Sequence, residues 1–178
     1  MKASRARAEG LDIESLHACD LTSPADVDRL AARTVARLGG IDILVNAAAW
    51  GAFASIEAMD FERGWRRTLS GELDVVFLAC KAAWPHMIAR GGGSIINFAS
   101  ANAHVTLRGS PALAHCAGKG GVVAMTRQLA AEGAPHGIRA NTISPALVVA
   151  DRARRGLVLD RDARSLLRRL PRAVASAD

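Results

Sequence analysis

The chain contains no tyrosine, so no phenol is available at any position to act as an acid or base. Cysteine is sparse: Cys19, Cys80 and Cys116 are odd in number and show no Cys-x-x-Cys spacing, which argues for reduced thiols rather than a disulfide framework. His17 and Cys19, even taken with His115 and Cys116, do not make a zinc-ligand pattern. No apolar run approaches the roughly 18 residues that span a bilayer, so no membrane partner is expected. The opening decapeptide MKASRARAEG is basic but lacks the apolar stretch of a secretory leader. A cytoplasmic protein is the expectation.

What is present is ample for a core. Half of the 178 residues are hydrophobic, enough for one globular domain. The net charge of +6 is uneven, with eight arginines and three aspartates in 151–172. A basic tail of this kind can attract nucleic acid or an acidic partner. No aromatic residue interleaves with those arginines, so nucleic-acid binding ranks low and a solvated, partly helical tail is expected.

Residues 13–150 alternate strand and helix signals. Ile13–Ala18 is a short strand candidate. Ser23 is placed to cap a helix, with Pro24 in its first turn and Asp26 at its positive end. Val27, Leu30, Ala31, Thr34, Val35 and Leu38 recur at helical spacing, and Gly39-Gly40 stops the run. Ile41–Asn46 is nearly continuous in apolar residues, as in a buried parallel strand. Asp60 opens a long helix to about Ala89, with Leu69, Leu73, Val76, Cys80, Ala83 and Met87 as its stripe and Pro85 as a stop or kink. Ser94–Ala99 is the next strand. Pro111 opens a helix whose Val122, Met125, Leu129 and Ala130 point inward, and Gly137 turns the chain into Ile138–Ser144. Strands joined by helices predict an α/β fold, a doubly wound parallel sheet with right-handed crossovers. The expected division is residues 1–150 as this domain and 151–178 as a weakly structured tail.

In such a sheet ligands bind beyond the carboxyl ends of the strands. Asp20-Leu21, Asn46-Ala47-Ala48, Ser100 and Pro145 all fall there. The stretch HCAGKGGVVAMTRQLAAEGAPHGIRANTISP, from His115 to Pro145, resembles the active-site helix and following strand of the short-chain dehydrogenase/reductase family. The family signature is Tyr-x-x-x-Lys; His115 holds the tyrosine position and Lys119 the lysine. CDLT resembles the Asp-Val/Leu pair that touches adenine, implicating Asp20 and Leu21. NAAA resembles Asn-Asn-Ala-Gly beside the adenosine ribose, implicating Asn46, Ala47 and Ala48. SIINFAS resembles the strand that delivers the catalytic serine, here Ser100. ISPA resembles the Pro-Gly segment beside the nicotinamide, implicating Pro145 and Val148.

The resemblance implies an oxidoreductase that moves a hydride between NAD or NADP and a small alcohol or carbonyl substrate. A lysine holds the nicotinamide ribose, a serine orients the substrate oxygen, and an acid or base handles its proton. It also implies a homo-oligomer built through helices 61–89 and 111–133. Several positions differ from the family. Aligning WRRTLSGELDVVFL with the family's long helix puts Glu72 where an asparagine is usual, and Ala49, Ala146 and Ala150 replace a glycine, a glycine and a threonine. The Gly-rich phosphate turn has no counterpart, so the expected sheet is incomplete and lacks its first βαβ unit. His115 has two readings: an altered proton donor in a Glu72–Lys119–His115 network, or a polar residue left where the tyrosine was lost. The second leads to an alternative, a catalytically inactive member acting as a dimerising interaction protein.

Overall fold

A computed structural model describes residues 19–106, 109 and 111–146. The strand candidate at 13–18, Val148, Ala150 and the 151–178 tail lie outside the described residues. Three strands, β1 (Ile43–Asn46), β2 (Gly93–Phe98) and β3 (Ile138–Ile143), form a parallel sheet in the order β1-β2-β3. The register pairs Leu44 with Ile95 and Ile95 with Ala140, and one layer on it pairs Asn46 with Asn97 and Asn97 with Thr142.

Helix α1 (Pro24–Leu38) begins as its sequence dictates. Ser23 accepts a hydrogen bond from the Asp26 N–H, Pro24 occupies the first turn, and Gly39 closes the helix at φ 82°, donating to the Val35 carbonyl. Val27 and Ala31 pack on Ala82 of the next helix. Leu38, expected on the same face, lies past that contact and is exposed.

Helix α2, residues 61–89, is composite. Asp60 accepts from the Arg63 N–H at its start. Two π-helical stretches, Phe61–Arg66 and Ser70–Asp74, flank a short α-helical turn, and regular α-helix follows over Val75–Ala89. Pro85 does not end it. Pro85 lacks the N–H that would bond the Lys81 carbonyl, and both residues are exposed.

Helix α3 (Leu113–Gly133) starts two residues beyond Pro111, because Ala112 is still non-helical at φ −128°, ψ 31°. Gly137, at φ 69°, makes the left-handed turn into β3.

Met87 of α2, Ile95 of β2, Val122 of α3 and Ile138 of β3 are fully enclosed at the centre of the core. The described helices thus lie on one face of the sheet. The other face stays open among the described residues, leaving Ile43 66% and Val45 51% exposed. Ile43–Asn46, expected to be buried on both sides, therefore alternates in exposure.

One polar ladder crosses the covered face. Asn46 Nδ2 donates to Asn97 Oδ1 at 2.8 Å, Asn97 Nδ2 donates to Thr126 Oγ1 at 2.8 Å, and Thr126 Oγ1 donates to the Val122 carbonyl at 2.7 Å. The Cys80 thiol lies against the same amides, and burial pushes it up to about 11. Asn97→Ala would break both side-chain bonds of the ladder, leaving Thr126 its bond to Val122 and Asn46 its contact with Cys80. We expect a loss of roughly 1–3 kcal/mol in urea unfolding, whereas a change within a few tenths would show that the ladder is dispensable.

Candidate active site

The site gathers at the carboxyl end of β2. Lys119, on the second turn of α3, is 6% exposed, and its Nζ donates to the Phe98 carbonyl at 2.9 Å. An ammonium carries three donors, so two remain for other acceptors. Burial lowers the Lys119 pKa, and the Glu72 charge opposes that shift.

Glu72 comes from the π-helical stretch Ser70–Asp74 and is 3% exposed. Its Oε1 lies 2.6 Å from His115 Nδ1. Its Oε2 is buried with no hydrogen-bond partner among the described residues. The expected Glu–Lys–His network therefore takes a definite form: Glu72 bonds His115, while Lys119 turns to the β2 backbone and feels Glu72 through space.

Small residues make room for the carboxylate. A Cβ on Gly118 would stand 2.9 Å from Glu72 Oε2, and one on Gly51 would stand 3.0 Å from Oε1. The loop between β1 and α2 is fastened over the pair. Ala52 N donates to the buried Thr68 hydroxyl at 2.8 Å, Trp50 N donates to the Gly71 carbonyl, and the Arg67 guanidinium lies 4.5 Å from the centre of the Trp50 ring. The Phe53 ring thereby lies 5.2 Å from the His115 ring, tilted by 45°.

Ser100 follows β2 and caps the short 3₁₀ turn Ala101–Ala103, its Oγ accepting from the Asn102 N–H at 3.2 Å. Ala101 N donates to the Pro145 carbonyl at 2.9 Å, which sets Pro145 beside this loop. Asn102 Nδ2 approaches Cys116 Sγ at 4.0 Å, tying the loop to the first turn of α3. Ser100, His115, Lys119, Glu72 and Pro145 are thus brought to one end of the sheet. Phe53, Thr68 and Gly118 join them without having been singled out in sequence. Gly118 alone carried a signal, a helical glycine between the two key side chains.

Asp20, Leu21, Ala47 and Ala48 sit at the carboxyl end of β1. Asp20, Leu21 and Ala48 line a cavity of about 220 Å³, and Leu21, Asn46, Ala47 and Ala48 line an adjoining one of about 180 Å³. The Asp20 carboxylate accepts from the Thr22 hydroxyl at 2.7 Å and the Thr22 N–H at 2.9 Å, which lowers its pKa. The Asn46 amide nitrogen is turned inward to Asn97.

A recess by Asp20–Leu21 and a buried lysine ammonium at the carboxyl end of β2 are compatible with the two ends of a nicotinamide dinucleotide. Among the described residues no Gly-rich turn follows a strand into a helix. Gly91 and Gly92 instead lead into β2, which opens at Gly93.

The family model for enoyl-(acyl carrier protein) reductase matches residues 1–172. The chain belongs to the short-chain dehydrogenase/reductase family. Over 134 residues it is 41% identical to D-threitol dehydrogenase of Mycolicibacterium smegmatis, covering 75% of this chain and 50% of that protein. A short-chain dehydrogenase structure from Mycobacterium smegmatis superposes with a TM-score of 0.75 at 33% identity, covering 82% of this chain and 59% of the other. A gluconate 5-dehydrogenase from Burkholderia cenocepacia, solved with NADP and tartrate, superposes with a TM-score of 0.83 at 32% identity, covering 93% and 63%. The chain spans about half the length of the curated relatives it matches. The incomplete α/β sheet read from the sequence is the family's Rossmann-type sheet.

Two outcomes test this geometry. Gly118→Ala drives a Cβ into Glu72, so we expect roughly 1–3 kcal/mol of destabilisation by overpacking, measured by chemical denaturation. Burial of the Lys119 ammonium means that the unfolded chain binds this proton more tightly. The penalty is fully present below the folded pKa and is relieved as pH rises towards the ordinary lysine value of 10.5. Relative to Lys119→Met, the wild type should therefore gain stability as pH rises in the window just below 10.5. A difference in urea midpoints that stays flat through that window, or falls, would contradict it.

Proposed function

We propose that this chain is an NAD- or NADP-linked oxidoreductase, transferring a hydride between the nicotinamide and a small alcohol or carbonyl compound. The observation that carries the reading is the Glu72–His115 pair, set one turn from a buried Lys119 and beside the Ser100 loop. Imidazole is a competent general acid–base group near neutral pH. The missing phenol therefore does not remove proton chemistry from the site. The bound dinucleotide supplies hydride exchange and no more.

The chain's own groups do the rest. Ser100 orients the substrate oxygen. His115 exchanges the proton with that oxygen. Lys119 holds the nicotinamide ribose with the donors left after its bond to Phe98, and Pro145 walls the nicotinamide side. Asp20, Leu21, Ala47 and Ala48 receive the adenosine, with Asn46 bracing β1 from within. Phe53 covers the His115 ring and limits water at the reacting oxygen. Val148, assigned by resemblance to the carboxamide, completes the proposal from outside the described residues.

No helix among the described residues is long and apolar enough to cross a membrane. We place the protein in the cytoplasm as a homo-oligomer. Helices α2 and α3 support the oligomer, because Phe77, Trp84, Met125 and Leu129 line a largely apolar recess of about 400 Å³ between them. Such a surface resembles the helical faces through which this family pairs.

Ligand binding to the native state raises its melting temperature by mass action. NADH or NADPH should do so with this chain, and Lys119→Ala should abolish the shift. No shift at millimolar cofactor would count against the reading and favour the inactive alternative. Once a substrate is found, His115→Ala should cut kcat by roughly 10²–10⁴-fold.

A further inference from the structure

Glu72 is the buried group that this function leaves least explained. A carboxylate at 3% exposure, with one oxygen lacking a partner among the described residues, costs stability, and its retention calls for a role. It stands in a π-helical stretch, a distortion frequent at functional sites. Its one hydrogen bond goes to His115 Nδ1.

We propose, building on the oxidoreductase reading, that Glu72 is a positioning residue which fixes His115 as the Nδ1–H tautomer and presents Nε2 to the substrate as a proton acceptor for alcohol oxidation. Glu72 is taken as a carboxylate, which only accepts hydrogen bonds, so that the nitrogen 2.6 Å from Oε1 carries the proton. In the neutral ring the other nitrogen then holds a free lone pair. A neutral imidazole in water prefers the opposite tautomer, so the choice is imposed by Glu72. Phe53 against the ring and the buried carboxylate together oppose a ring flip.

Lys119, on the same helix as His115, is a second charged group that faces Glu72. Cys116 is the titratable neighbour on α3, and it faces Asn102. The β1–α2 loop contributes uncharged Phe53, and the loop after β2 contributes Ser100. His104 of that loop is engaged by Ser144.

The proton and hydride balance follows. The substrate O–H bond breaks and its proton goes to Nε2. The carbinol C–H bond breaks and its hydride leaves for the oxidised nicotinamide. The products are a carbonyl compound, reduced nicotinamide and an imidazolium stabilised by Glu72, which returns its proton to solvent after product release. Reduction is the same sequence reversed, starting from the imidazolium.

The test is the tautomer itself, read on the full chain without cofactor. Histidine labelled with ¹⁵N, above the pH where His115 titrates, should show a protonated Nδ1 and an unprotonated Nε2. Glu72→Leu should exchange the two signals. Glu72→Gln retains an acceptor and should keep the tautomer, while lowering kcat by roughly tenfold to a hundredfold with KM within about twofold. A wild-type spectrum with Nε2 protonated overturns the proposal even if Glu72→Leu fails to fold, as does an unchanged pattern in a folded Glu72→Leu. The expected spectrum without cofactor binding or turnover would support the positioning by Glu72 and overturn only the oxidoreductase reading.

Discussion

A single buried carboxylate organises this molecule's working end. Glu72 has almost no contact with water, and three separate elements shape themselves around it: α3 through His115 and Gly118, the β1–α2 loop through Gly51, and α2 itself through a widened turn. Each accommodation is local, yet together they fix where the imidazole points and where the lysine cannot go. With Glu72 committed to His115, Lys119 reaches for the Phe98 carbonyl instead, and that bond locks α3 onto the end of β2. Desolvation makes every charge here more consequential than at the surface, because the local dielectric is low.

The sheet supplies the second constraint. Parallel pairing in register puts Asn46, Asn97 and Thr142 in one row. The first two point into the helices and hand their hydrogen bonds on to Thr126. The row joins the carboxyl end of β1, beside the Asp20–Leu21 recess, to the helix that carries His115 and Lys119. A core that was apolar throughout would pack as well but would not tie these two ends by directional bonds.

How much of this could be read in advance divides by range. The caps of α1, the Asp60 start of α2 and the Gly137 turn were legible, because each depends on a few neighbouring residues. The parallel α/β layout was legible from alternating periodicities, and the gathering of Ser100, His115, Lys119 and Glu72 at one end of the sheet from resemblance at fixed spacings. Long-range partnerships were not. Nothing in the run Ser94–Ala99 tells that Asn97 will meet Asn46 from 51 positions away, or that Phe53 will cover His115. The exposure of Ile43 and Val45 also escaped the pattern, since a run of apolar residues does not say whether both faces will be covered. Pro85 shows the converse: a strong local breaker is accommodated at an exposed position of a helix whose other face is packed.

The widened turn at Ser70–Asp74 has an evolutionary corollary. Successive residues of an α-helix step about 100° around its axis, so deleting one residue within that stretch would swing Glu72 away from the imidazole while leaving most of the hydrophobic stripe in place. A lineage of this chain can thus gain or shed the carboxylate partner by a single codon insertion or loss, without rebuilding its interior.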